Sequence, residues 1–173
     1  MKKTSSLFLT YFFFIQSIYA QDLEFEIPKN NISIELGGPS LISSINYSRL
    51  FILNTNFKLN VRVGLGSNRI KDFTQKVNPD VSLPIGVNLD YAIKRFKKSC
   101  LSTQIGIGNT ISSIVQTDDN YKAIRTYNNH GFVVLGLFLE FNNRFFYGIN
   151  YTPLFVEYEH INHWASITVG YLF

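Results

Sequence analysis

The chain has 173 residues, 46% of them apolar and 16% charged, which is enough for one domain of ordinary size and too little for two. That apolar share, with 16% aromatics, excludes a disordered chain and falls well short of a bundle of membrane helices. A single cysteine, Cys100, excludes an intrachain disulfide or a cysteine zinc cluster. The net charge of +4 owes two units to Lys2 and Lys3, so nothing argues for a nucleic-acid partner.

Lys2 and Lys3 precede an apolar stretch from Leu7 to Ile18, and Tyr19-Ala20 gives way to the polar Gln21-Asp22. This is the order of a secretory signal, with cleavage expected after Ala20. About 12 apolar residues would reach only about 18 Å as a helix, against a hydrocarbon core of roughly 30 Å. The expected organisation is therefore a signal peptide over 1–20, a short N-terminal segment over 21–29 and one barrel domain over 30–173. Leu23 to Ile27 also alternates, but Pro28-Lys29-Asn30 breaks its phase with Ile32 onward.

From there the period is two. Phe57, Leu59, Val61, Val63 and Leu65 alternate with Lys58, Asn60, Arg62, Gly64 and Gly66, and Val81 to Tyr91 repeats the pattern. Looser segments run over Ile32 to Leu36, Ser44 to Ser48, Leu101 to Gly108, Val133 to Phe141, Phe145 to Phe155 and Ala165 to Phe173, which makes eight strands. Pro84 lacks an N–H and would delete a ladder bond unless a bulge absorbs it. The connections Ile52 to Asn56, Lys94 to Ser99 and Asn142 to Arg144 are short. Ser67 to Asp80 and Ser113 to Asn129 are long and polar, and Val156 to Asn162 is intermediate. Such alternation fits an up-and-down barrel whose two ends face different compartments. Gly37-Gly38-Pro39-Ser40 is shorter than that rule requires.

The polar face carries mostly Gly, Ser, Asn and Thr, with isolated charges at Glu35, Lys58, Arg62, Asp90 and Glu140. A water-soluble sheet would be studded with Lys and Glu there, whereas small residues suit a narrow lumen in which glycines make room for a few long side chains. The five charges are expected to form a pairing network inside, since an unpaired buried charge costs several kcal/mol. Phe51, Phe57, Tyr91, Phe141, Phe145, Tyr171 and Phe173 all fall at the end of the barrel holding the C-terminus. Tyr151, Phe155, Tyr158 and Trp164 fall at the other, as two aromatic girdles would.

The final strand, Ala165-Ser166-Ile167-Thr168-Val169-Gly170-Tyr171-Leu172-Phe173, resembles the C-terminal signature of the small eight-stranded outer-membrane β-barrel proteins, the class of the OmpA membrane domain and OmpX. Ile34 to Pro39 followed by Ser44 to Phe51 is similar to the opening hairpin of an uncharacterised branch of the same proteins. The resemblance covers about residues 30 to 173. It implies an all-β, eight-stranded antiparallel up-and-down transmembrane β-barrel in the outer membrane of a Gram-negative envelope, surrounded by outer-membrane lipid. It also implies that Ile167, Val169, Tyr171 and Phe173 are read by the barrel-assembly machinery.

Some such barrels are lipid A acyltransferases or deacylases, which need a serine activated by a neighbouring histidine. Here His163 and Ser166 stand three apart, on opposite faces of a strand, and the His and Ser two apart found on one strand of the deacylases are missing. Glu157, Glu159, His160 and His163 suit a divalent ion chemically but read more simply as a solvated loop. The basic turn Lys94, Arg95, Lys97 and Lys98 falls beside lipid headgroups, which attract such residues. The expectation is a monomeric, non-catalytic barrel with no cofactor and no metal, a packed or very narrow lumen, and long outer loops that carry any contact. Its rivals are a lipid-modifying enzyme and a soluble secreted barrel binding an apolar ligand.

Overall fold

A computed structural model of the chain describes residues 28–67, 69, 78–117, 123–156 and 160–173, except that the side chains of Val156 and His160 are not described. The expected signal peptide and its cleavage point lie outside these residues. So do Tyr158, Glu157 and Glu159.

Eight strands run as an antiparallel meander: β1 Asn30–Gly37, β2 Ser43–Ile52, β3 Phe57–Gly66, β4 Val81–Arg95, β5 Ser99–Thr117, β6 Ala123–Phe141, β7 Phe145–Val156 and β8 His160–Leu172. Each pairs with its neighbours in sequence, and β8 pairs with β1 to close a barrel. Asn30 and Phe173 seal the seam, each N–H donating to the other's carbonyl at 2.9 and 2.8 Å. Closure leaves the sheet no unpaired edge through the body of the barrel.

The two-residue period resolves into two faces of opposite polarity. Ile32, Ile34, Ile45, Val61, Val63, Ile85, Val87, Ile105, Ile107, Leu137, Ile149, Ile167 and Val169 all stand outward and exposed, Ile107 by 67%. Asn31, Ser33, Ser44, Asn46, Ser48, Asn60, Ser82, Asn88, Ser102, Asn150 and Thr168 point inward and are buried. The apolar side chains thus cover the outside, and the hydroxyls and amides surround the axis.

The strands differ from the expected ones mainly in length. Most of the connection read as Ser113 to Asn129 is strand, because β5 extends to Thr117 and β6 begins at Ala123, paired in register from Thr117↔Ala123 to Ser99↔Phe141. The polar Thr, Asn and Arg residues there hide the period, because among residues 112–117 and 123–130 only Ser112 and Val115 are buried. β4 likewise continues past Tyr91 to Arg95, over a bulge between Ala92 and Lys94, so the basic turn keeps only residues 96–98 as connection.

Pro84 is held without a bulge. It pairs regularly with Thr110 of β5, while the β3–β4 ladder skips from Val63↔Ile85 to Gly66↔Ser82. A residue without N–H loses its rungs on one side only. The β6–β7 ladder has the same gap opposite Pro153, between Leu135↔Tyr151 and Phe132↔Leu154.

Candidate functional site

The lumen is filled by a rule visible in the ladders: large inward residues sit opposite glycines of the next strand. Asn46 faces Gly64, Arg62 faces Gly86, Asn88 faces Gly106, Phe132 faces Gly108, Asn150 faces Gly136, Phe138 faces Gly148 and Phe146 faces Gly170. A Cβ at Gly64, Gly106, Gly108, Gly136, Gly148 or Gly170 would overlap the side chain opposite. An eight-stranded barrel has an interior just wide enough for side chains, so each large group needs a neighbour of no width.

The five charges predicted for the lumen are distributed over two levels. At mid-height, Arg62 Nη1 donates to Glu35 Oε2 at 3.0 Å, with Glu35 fully buried and Arg62 7% exposed. Ser166 Oγ donates to Glu35 Oε1 at 2.7 Å, and Asn150 Nδ2 donates to the same oxygen and to the hydroxyls of Ser166 and Thr168. This carboxylate is therefore satisfied on both oxygens, which a buried ion pair requires if it is not to destabilise the fold. The Arg62 guanidinium lies 5.8 Å from the centre of the Phe132 ring, within cation–π range. Nearer the C-terminal rim, Lys58 Nζ meets Glu140 Oε2 at 2.6 Å, and Asp90 takes a hydrogen bond from Gln104 Nε2 at 2.6 Å. Asp90 also lies within electrostatic reach of Lys58 and Glu140, so the charges form an upper pair, Glu35 and Arg62, and a lower group of three.

Between the two levels lies a cavity of about 30 Å³ lined by Ser33, Ser48, Asn60, Arg62, Asn88 and Asp90 among others, room for about two waters. Arg62 Nε and Nη2 and the Oδ1 atoms of Asn60 and Asn88 have no partner among the described residues, and solvent in this space can serve them. Leu50, Phe146 and Leu172, with Phe138 against them, form an apolar layer around the lower part.

The upper end is closed by residues whose role the sequence did not reveal. Gly38–Ser40 forms a 3-10 turn that folds into the barrel mouth, with Pro39 and Ser40 completely buried. Gly37 and Gly38 take φ of 84° and 76°, a conformation that glycine adopts without a steric cost. Thr110 Oγ1 donates to the Pro39 carbonyl at 3.1 Å, and His130 Nε2 lies 3.1 Å from the same oxygen. Beneath this turn Phe132, Val134 and Leu154 pack with Leu41. This connection, shorter than an outer loop would be, turns inward. Phe132, Phe138 and Phe146 share the strand phase of Gly136, Glu140 and Gly148, a signal from which their inward direction was legible.

Above this closure β5 and β6 continue as a hairpin paired only with each other. Its base is braced by the end of the β3–β4 connection: Val115 N–H donates to Asp80 Oδ1 at 2.8 Å, Arg69 reaches both Asp80 and the Val115 carbonyl, and Arg125 reaches Pro79 O and Ser113 Oγ.

The aromatic residues ring both ends. Phe57 and Tyr91 contact at 4.9 Å, Phe145 and Tyr171 at 5.2 Å, and Phe141 and Tyr147 at 5.9 Å, all near the C-terminal rim. At the opposite level Tyr151 stacks on His163 and its hydroxyl bonds to Nδ1. Of the histidines, His163 faces outward while Ser166 faces the lumen, and His130 is occupied with Pro39. Ile167, Val169, Tyr171 and Phe173 all stand exposed on the outer face.

No family model matches the sequence, and no curated protein matches it either. Among solved structures, the N-terminal β-barrel domain of Pseudomonas aeruginosa OprF superposes with a TM-score of 0.54 at 13% identity, covering 83% of this chain and 95% of that one. The chain therefore shares the eight-stranded, up-and-down closed barrel of that domain, and at this identity the likeness is one of fold.

Proposed function

We propose that this chain is an integral outer-membrane β-barrel without catalytic activity, which holds its β5–β6 hairpin and neighbouring loops outside the cell as a structural or interaction element. The observation that carries this reading is the inverted polarity: isoleucine, leucine and valine cover the outside, while Asn46, Asn88, Thr152 and Glu35 are sealed within. In water such an exterior would be one continuous apolar patch far beyond what soluble monomers carry. In a bilayer it matches an apolar band about 25 Å tall. A ten-residue strand such as β3 tilted by about 40° rises about 26 Å, which spans that band.

The same reading makes the barrel a monomer in lipid, with its basic turn at the periplasmic headgroups. It assigns the outward row Ile167, Val169, Tyr171 and Phe173 to recognition by an assembly machinery. Passage of solutes is not its work, because Pro39, Phe132 and Leu154 fill the upper lumen.

Two measurements test it. A folded barrel of this kind migrates faster in detergent gels before boiling than after. Cell fractionation should recover it in the membrane fraction, released by detergent alone. Recovery in the soluble periplasm without detergent would refute the reading and favour a secreted barrel.

A further inference from the structure

The lumen that is sealed above Arg62 opens below, at the C-terminal rim, into a mouth of about 690 Å³. Its wall has two characters. Ile52, Phe96, Phe141 and Leu172 line it with apolar surface, and Arg95 and Arg144 stand beside the Lys58–Glu140 pair as cations. Lys58 is matched by Glu140, whereas neither arginine has an ion-pair partner among the described residues. The mouth thus offers two uncompensated positive charges next to an apolar wall.

The chain itself enters this mouth at Pro28, which is part of the lining. The seven residues before Pro28 are Gln21-Asp22-Leu23-Glu24-Phe25-Glu26-Ile27. Their acids occupy every second position and their apolar residues the positions between, so in extended form they present one acidic and one apolar edge. Seven extended residues reach about 23 Å. Eight strands about 4.8 Å apart and tilted by about 40° enclose a barrel about 16 Å across, so the segment is long enough to cross the opening from its attachment at Pro28.

We propose that the mouth is a docking site for segment 21–27 of the same chain, with the carboxylates of Asp22, Glu24 and Glu26 against Arg95 and Arg144 and with Leu23, Phe25 and Ile27 against Ile52, Phe96 and Phe141. This rests on the geometry of the mouth and is independent of where in the cell the barrel resides. The juxtaposition of both complementary features at the point where the segment is tethered raises its effective concentration there to the millimolar range.

Cys100 lines the same mouth and is half-buried, so the rate at which a neutral maleimide labels it reads occupancy directly in the folded chain in detergent micelles. The combined change Asp22→Lys, Glu24→Lys and Glu26→Lys is expected to raise that rate at least tenfold, and adding Arg95→Glu with Arg144→Glu is expected to return it toward the original. Heat-modifiable migration confirms that each variant is folded. As a second measurement, carbodiimide treatment of the Arg144→Lys chain is expected to join the introduced amine to a carboxylate of segment 21–27, identified by peptide mass. An unchanged labelling rate in the triple variant, or no such cross-link in folded chain, overturns the proposal. Slowing by vesicles of anionic phospholipid equally in the original and triple variants assigns the mouth to a lipid headgroup instead. A labelling rate that falls with protein concentration assigns it to a second copy.

Discussion

Phe132 lies directly across the β5–β6 ladder from Gly108, and its ring fills the space that a side chain at position 108 would need. Overpacking of such a contact costs about 1–3 kcal/mol. Gly108→Val is therefore expected to lower the urea midpoint of the folded barrel by that equivalent. Gly131→Ala is the control: it has nothing closer than 3.9 Å to the added methyl and should leave the midpoint nearly unchanged. Equal effects of the two would mean that lumen packing does not set stability.

The buried Glu35–Arg62 pair should be more sensitive to loss of one partner than the partly buried Lys58–Glu140 pair. Arg62→Met leaves the Glu35 carboxylate among hydroxyls without its cation, a change that costs about 3–5 kcal/mol. Pairing it with Glu35→Gln should restore most of the loss. Lys58→Met is expected to cost less than Arg62→Met, because the Lys58 and Glu140 side chains are 24% and 19% exposed and water can reach the carboxylate left behind. Equilibrium unfolding of the three variants measures the difference, and equal losses for Arg62→Met and Lys58→Met would contradict the two-level arrangement.

Ile107 stands on the outer face at mid-barrel. If that face meets lipid, Ile107→Arg costs about 2–4 kcal/mol in a bilayer. If it meets water, an exposed substitution changes stability by no more than about 0.5 kcal/mol. Unfolding from phospholipid vesicles separates the two outcomes by more than the error of the measurement.

Pro39 O is the single acceptor for Thr110 Oγ1 and the near neighbour of His130 Nε2. Thr110→Val and His130→Ala should each cost about 1 kcal/mol. Because they share one carbonyl, the double variant should lose more than the sum, since only then is the buried acceptor left with neither. Strict additivity would show that the turn is held by packing alone.

Phe173 joins β8 to β1 through its backbone while its ring stands outside. Phe173→Ala is therefore expected to refold from urea into detergent almost as well as the original chain, yet to reduce severalfold the heat-modifiable fraction assembled in cells. Equal losses in both settings would make the ring a stability element and not a recognition element.

The eight strands, their phase and the sidedness of the barrel were legible in the sequence, because one face of every strand through the barrel body is chemically unlike the other. Lys58 and Arg62 could be assigned to the lumen from phase alone, and so could the outward row ending at Phe173. Phase does not say which residue stands opposite which. That Arg62 meets Glu35, separated by 27 positions, and Lys58 meets Glu140, separated by 82, depends on the stagger with which the strands close, which is a property of the whole ring.

The same limit explains the remaining surprises. Alternation marks a strand only where its two faces meet different surroundings, so the upper parts of β5 and β6, where Ser112 and Val115 alone are buried, carried no regular pattern. The inward fold of Gly38–Ser40 was hidden because its stabilising partners, Thr110 and His130, lie 71 and 91 residues away. Sequence by itself determined that this chain is a sheet with a greasy side and a polar side, since that follows from the order of side chains along each strand. Tertiary structure alone decided which polar groups satisfy one another and which end of the lumen is shut, since those depend on contacts made only when β8 reaches β1.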